Sequence, residues 1–134
     1  MYPYKLFISH SWSYSDQYDG LLKLLRNEPR FDFRNYSVPK NDPIHNAPNS
    51  AALSEAIRNQ MVFCDVILIV VGVYSSYSKW IIKEIAIAQS FSKPKPILAI
   101  EPWGSYRTSY VKEHADATVG WNGASIVSAI RSLA

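Results

Sequence analysis

Apolar positions along the chain follow two rhythms that take turns. Short apolar runs of strand length alternate with stretches in which apolar residues return every three or four positions. Lys5-Leu6-Phe7-Ile8-Ser9 predicts a buried first strand, and His10 to Ser15 a polar loop rich in serine and aromatic residues. Tyr18, Leu21, Leu22 and Leu25 have helical spacing, with Ser15 or Asp16 as cap and Asn27-Glu28-Pro29 as stop. Phe31 to Tyr36 alternates, as an edge strand with one wet face does. Ser37 to Asn49 is a long loop with three prolines. Leu53, Ala56, Ile57, Gln60, Met61 and Cys64 mark a second helix, capped near Asn49 or Ser50.

Asp65 to Gly72 is a continuous apolar run, β-branched and too short for a core helix, as a central parallel strand should be. A helix over Ser78–Ser92 follows, then a Lys93-Pro94-Lys95-Pro96 turn and a buried strand over Ile97–Ile100. Glu101-Pro102-Trp103-Gly104 opens a second long loop. Thr118-Val119-Gly120 is a stub of a fifth strand, and Ile126, Val127, Ile130 and Leu133 line a closing helix. Five alternations of strand and helix predict one α/β domain over residues 1–134, a flavodoxin-like doubly wound parallel sheet with helices on both faces. The expected strand order is 2-1-3-4-5. The order reverses between the first and third strands, and the ligand crevice of such a sheet lies beyond the carboxyl ends of those strands.

Composition changes this picture little, but it removes several classes of function. The net charge of +3 comes from scattered basic residues with no basic run, so no nucleic-acid partner is expected. One cysteine, Cys64, excludes an internal disulfide and a multi-cysteine metal site. The longest apolar run, Val66 to Val73, falls well short of the roughly 20 residues of a membrane helix. Met1-Tyr2-Pro3-Tyr4-Lys5 runs straight into a strand pattern with no secretory apolar region, so a soluble cytoplasmic protein is expected.

The chemistry converges on the predicted crevice. Ser9, His10, Ser11 and Trp12 follow the first strand, and Ser78, Trp80 and Glu84 follow the third. Ser78 suits a helix N-cap. Trp80 and Glu84 are four apart and share a helix face, while Ile81, Ile85 and Ala88 form a neighbouring stripe for packing on the sheet. A receiver domain would need acidic residues after the first strand and an aspartate ending the third, where Ser9-His10 and Gly72 stand. Ser9, Ser11, Ser13 and Ser15 look faintly like a flavin-phosphate loop but lack its glycines. No dinucleotide fingerprint, P-loop or nucleophile elbow is present, and no carboxylate cluster for a metal is visible.

A single carboxylate with aromatic neighbours fits cleavage of an N-glycosidic bond whose leaving group is already cationic. Ordinary glycosidases need two carboxylates, one of them to protonate the leaving oxygen. The nicotinamide of NAD+ departs as a neutral ring and needs no general acid. One glutamate can then hold the ribose hydroxyls and stabilise the oxocarbenium-like transition state. Trp80 divides between core packing and pocket wall, and Trp12 between surface decoration and a stacking lid. Asp42 and His45 read as loop polar residues that can also meet a substrate or partner. Trp103 and Trp121, each beside a glycine, read as structural anchors. His114 and Cys64 have no visible role.

Phe7-Ile8-Ser9-His10-Ser11 resembles the first-strand box of TIR domains. Ser78-Lys79-Trp80-Ile81-Ile82-Lys83-Glu84-Ile85 is similar to their Ser-x-Trp-Cys-x-x-Glu-Leu helix start, with Ile81 in place of cysteine. Pro102-Trp103-Gly104, Val119-Gly120-Trp121-Asn122 and the Ile126–Arg131 helix resemble the closing pattern of bacterial TIR-like domains, among them the TIR component of the Thoeris antiphage system. The resemblance implies hydrolysis or cyclisation of NAD+, the substrate rather than a cofactor, with Glu84 as the key residue. It places Phe7, Ser9, His10, Trp12, Asp42, Ser78 and Trp80 at the substrate. It also implies a diffusible cyclic ADP-ribose-type product read by a separate effector, and self-assembly through the 37–49 loop. That loop carries Lys40-Asn41-Asp42-Pro43 where many eukaryotic relatives have an acidic residue and glycine. A second expectation from the same resemblance is a non-catalytic assembly module, which would tolerate Glu84→Gln.

Overall fold

A computed structural model describes residues 3–9, 15–36, 50–71, 79–101 and 110–134. Five parallel strands form one sheet: β1 (Tyr4–Ser9), β2 (Phe33–Asn35), β3 (Val66–Val70), β4 (Ile97–Glu101) and β5 (Ala117–Gly120). Their order is β2-β1-β3-β4-β5, as the alternation of elements predicts. The helices are α1 (Ser15–Arg26), α2 (Ser50–Met61), α3 (Lys79–Ser90), α4 (Tyr110–His114) and α5 (Gly123–Leu133).

Right-handed crossovers dictate which face each helix covers. The chain steps one way from β1 to β2, then the other way through β3, β4 and β5. The connecting helix therefore changes face at the reversal. One face is packed by Leu21, Leu22 and Leu25 of α1 and by Ile126, Val127 and Ile130 of α5. The other is packed by Ile57 and Met61 of α2, Ile85, Ile87 and Ala88 of α3, and Val111 of α4. β3 shows the pleat directly, since Val66, Leu68 and Val70 join the first layer while Ile67 and Ile69 join the second. All five of its residues are buried, which explains the unbroken apolar run. Each such side chain contributes roughly 1.5–3 kcal/mol of burial.

Two elements differ from expectation. α4 lies within what reads as loop, because five residues are too few to display a helical period. β2 pairs with β1 over three residues and not six. Phe31 stacks instead between Tyr4, at 5.6 Å, and Phe33, at 5.8 Å. Trp121 behaves as the expected anchor, with its ring against α1 close enough that a methyl at Gly20 would sit 3.1 Å from Cζ2.

Candidate active site

α3 starts beyond the carboxyl end of β3, and Glu84 falls in its second turn. Helical periodicity places Glu84 on the same inward side as Ile85, Ile87 and Ala88, all buried. Ile82 and Ala86 face outward. The glutamate is therefore an interior residue, only 1% exposed, and not the solvated side chain typical of a helix glutamate.

Ser9 reaches the same place from the sheet. It ends β1 and pairs in register with Ile69 of β3. Strand alternation aims Phe7 and Ser9 at the α2–α3 layer. Ser9 is 2% exposed, and its hydroxyl donates to Glu84 Oε1 at 2.9 Å, a buried contact across 75 positions of sequence. This hydrogen bond marks the switch point where the strand order turns back on itself. It also counters part of the hydration the carboxylate loses on burial. Ser9 and Glu84 are the only buried polar side chains among the described residues.

The structure sorts the expected site residues. Ser9 and Glu84 come together. Trp80 lies in the first turn of α3, one turn before Glu84. Phe7, expected at the substrate, is buried at 1% exposure in the layer with Ile57, Ile67 and Ile85. It lies two residues before the end of β1, on the same side of the strand as Ser9. His10, Trp12, Asp42 and Ser78 lie outside the described residues, as do His45, Trp103 and the 37–49 loop.

One charged pair at the same edge of the sheet escaped the sequence analysis. Glu101 ends β4, and its carboxylate binds Lys112 Nζ of α4 at 2.6 Å. Glu101 follows an apolar strand run directly, a position at the carboxyl edge that the sheet rule marks as notable. Lys112 carried no signal because α4 was not expected. The groove between the outer faces of α2 and α3, about 540 Å³ and lined by Arg58, Ile82 and Lys83 among others, does not include Glu84. Among the described residues no cluster of three metal-ligating side chains occurs.

The five-stranded parallel sheet in the order β2-β1-β3-β4-β5, with a buried glutamate at its reversal, is the architecture of the TIR-like class. The family model "Thoeris protein ThsB, TIR-like domain" matches residues 7–107, most of the chain, and the chain belongs to that family. The match takes in the end of β1 with Ser9 and the whole of α3 with Glu84; the Val119–Arg131 pattern lies beyond it. Membership gives the chain a TIR-type role in Thoeris antiphage defence. No curated protein matches the chain. No described helix is long and apolar enough to cross a membrane.

Proposed function

We propose that this domain cleaves the N-glycosidic bond between nicotinamide and ribose in NAD+, with Glu84 as the catalytic carboxylate. The observation that carries the reading is the buried Glu84–Ser9 contact at the switch point of a TIR-like sheet. The scissile nitrogen is already cationic, so bond cleavage delivers neutral nicotinamide without a proton donor. What the reaction needs is negative charge placed against the positive charge growing on the ribose. A carboxylate held in a water-poor site supplies it more strongly than one in bulk water, because the local dielectric is lower. His10, Trp12, Asp42, Ser78 and Trp80 complete the substrate site in this reading, with aromatic rings stacking on the nicotinamide or adenine. The ribosyl cation is then captured by water, or by an atom of the same molecule to give a cyclic ADP-ribose-type signal that reaches a separate effector in the cytoplasm. Copies assemble through the 37–49 loop.

A second reading has its own support. A glutamate at 1% exposure, satisfied by a buried serine, is also what a purely structural polar pair looks like. In that case the domain is an assembly module with no turnover.

Incubating the purified domain with NAD+ and resolving the products by chromatography and mass spectrometry separates the two. The expected result is nicotinamide release that falls by about 100-fold or more in Glu84→Gln, with the thermal unfolding midpoint little changed. Hydrolysed and cyclised products differ by the mass of one water. Turnover by Glu84→Gln near that of the parent chain overturns the enzymatic reading.

A further inference from the structure

We propose that Ser9 is a positioning residue, fixing the carboxylate of Glu84 in the orientation that meets the ribose and making no contact with the substrate itself. The inference rests on Glu84 being the catalytic carboxylate. A serine hydroxyl has one proton to give. Here it goes to Glu84 Oε1 at 2.9 Å, so it is not offered to a substrate hydroxyl at the same time. Both side chains are almost wholly buried, and water cannot replace either partner cheaply.

The mounting of Ser9 makes it suited to the task. β1 is an interior strand, hydrogen-bonded to β2 on one side and to β3 on the other. Ser9 sits at its end with Phe7 and Ile8 locked in opposite core layers. Glu84 has three rotatable side-chain bonds and rides on a different element. A productive geometry tolerates only ~0.5 Å of displacement of such a carboxylate. A hydrogen bond from a rigid strand fixes Oε1 against the sheet. The sheet thus aims a group that the helix carries. A substrate-binding serine would instead need its hydroxyl turned toward the crevice.

Steady-state kinetics of nicotinamide release distinguish the roles. In Ser9→Ala the expected result is kcat lower by about 10-fold or more with KM within about 2-fold, because the substrate loses no contact. Ser9→Thr keeps the hydroxyl and is expected to recover most of the loss. A rise in KM at unchanged kcat overturns the proposal and makes Ser9 a substrate ligand. A fall in kcat that Ser9→Thr does not mend also overturns it.

A double-mutant cycle in urea tests the contact without any turnover. It combines Ser9→Ala with Glu84→Met, since glutamine would keep an accepting oxygen. Coupling of about 5-fold or more in the unfolding equilibrium constant is expected. Additive effects would show that Ser9 does not hold Glu84. If the parent chain releases no nicotinamide, the enzymatic reading fails, and the cycle alone then judges the contact.

Discussion

A carboxylate leaving water gives up several kcal/mol of hydration, and the chain recovers it differently at the two edges of the sheet. At the carboxyl edge Glu84 meets a side-chain hydroxyl. At the amino edge two aspartates meet backbone. Asp65, just before β3, accepts from Lys5 N at 2.9 Å and returns its own N–H to Lys5 O at 2.7 Å. Asp116, just before β5, does the same with Ile97, at 2.8 Å in both directions. Each aspartate thereby adds a rung to a parallel ladder at the point where the strand begins. Replacing Asp65 or Asp116 by alanine leaves an amide hydrogen at a strand start without its acceptor, at a cost of about 1–2 kcal/mol each. The two clasps share no partner, so urea denaturation of the double variant is expected to give the sum within about 0.5 kcal/mol. Neither clasp was legible beforehand. An aspartate before an apolar run reads as a plain boundary residue until the neighbouring strand is known. That Glu84 and Ser9 lie at the reversal of strand order was legible from the topology rule and the TIR-like motifs. Their direct contact was not, because it depends on how closely α3 crosses above the end of β1.

Elements were readable where burial alone decides their pattern. β3 packs on both sides and announced itself as a continuous run, and α5 shows its inner stripe of Ile126, Val127 and Ile130 openly. β2 is an edge strand whose aromatic residues stack as well as pair, so alternation overstated its length. α5 also illustrates how a helix end is fixed. Asn122 holds an extended backbone, and its side-chain oxygen accepts from Ser125 N at 3.0 Å. Its own carbonyl accepts from Ile126 N, the first intrahelical bond. Asn122→Ala removes the cap while leaving the inner stripe intact. The expected loss is about 1 kcal/mol, read as a fall of about 3–4 °C in the unfolding midpoint by circular dichroism. A larger loss would mean that Asn122 also fixes the turn bringing Trp121 onto α1.

At the scale of the whole domain, the question is whether the layer that holds α2 opens as a unit or turn by turn. Cys64 answers it, because it lies in the α2–α3–α4 layer between the end of α2 and the start of β3. Its thiol is 3% exposed, and burial pushes its pKa from 9.0 up to about 12, against the opposing charge of Lys95. The residue follows an exposed turn, where Val62 and Phe63 face solvent, so a local route to the thiol exists on paper. That route is tied shut. Cys64 N donates to Met61 O, and Lys95 Nζ donates to the carbonyls of both Val62 and Cys64. Phe63 stacks on Tyr36 at 6.3 Å, beside the end of β2. Freeing the thiol therefore means separating α2 from the sheet, and α2 shares its layer with β1, β3 and β4. Alkylation of native protein at about pH 8.5 is expected to be at least 10³-fold slower, as an order of magnitude, than in urea, since it waits on an opening worth several kcal/mol. Fast labelling with an unchanged circular dichroism spectrum would show that the 61–65 turn opens alone. The same burial sets a sign for alkaline pH. Above pH 9 the unfolded thiol loses its proton while the folded one keeps it, so the unfolded state gains stability from ionisation that the folded state forgoes. The thiol's contribution is complete below pH 9 and declines as pH rises toward 12. Cys64→Ala, which has no proton to lose, should flatten that part of the stability profile.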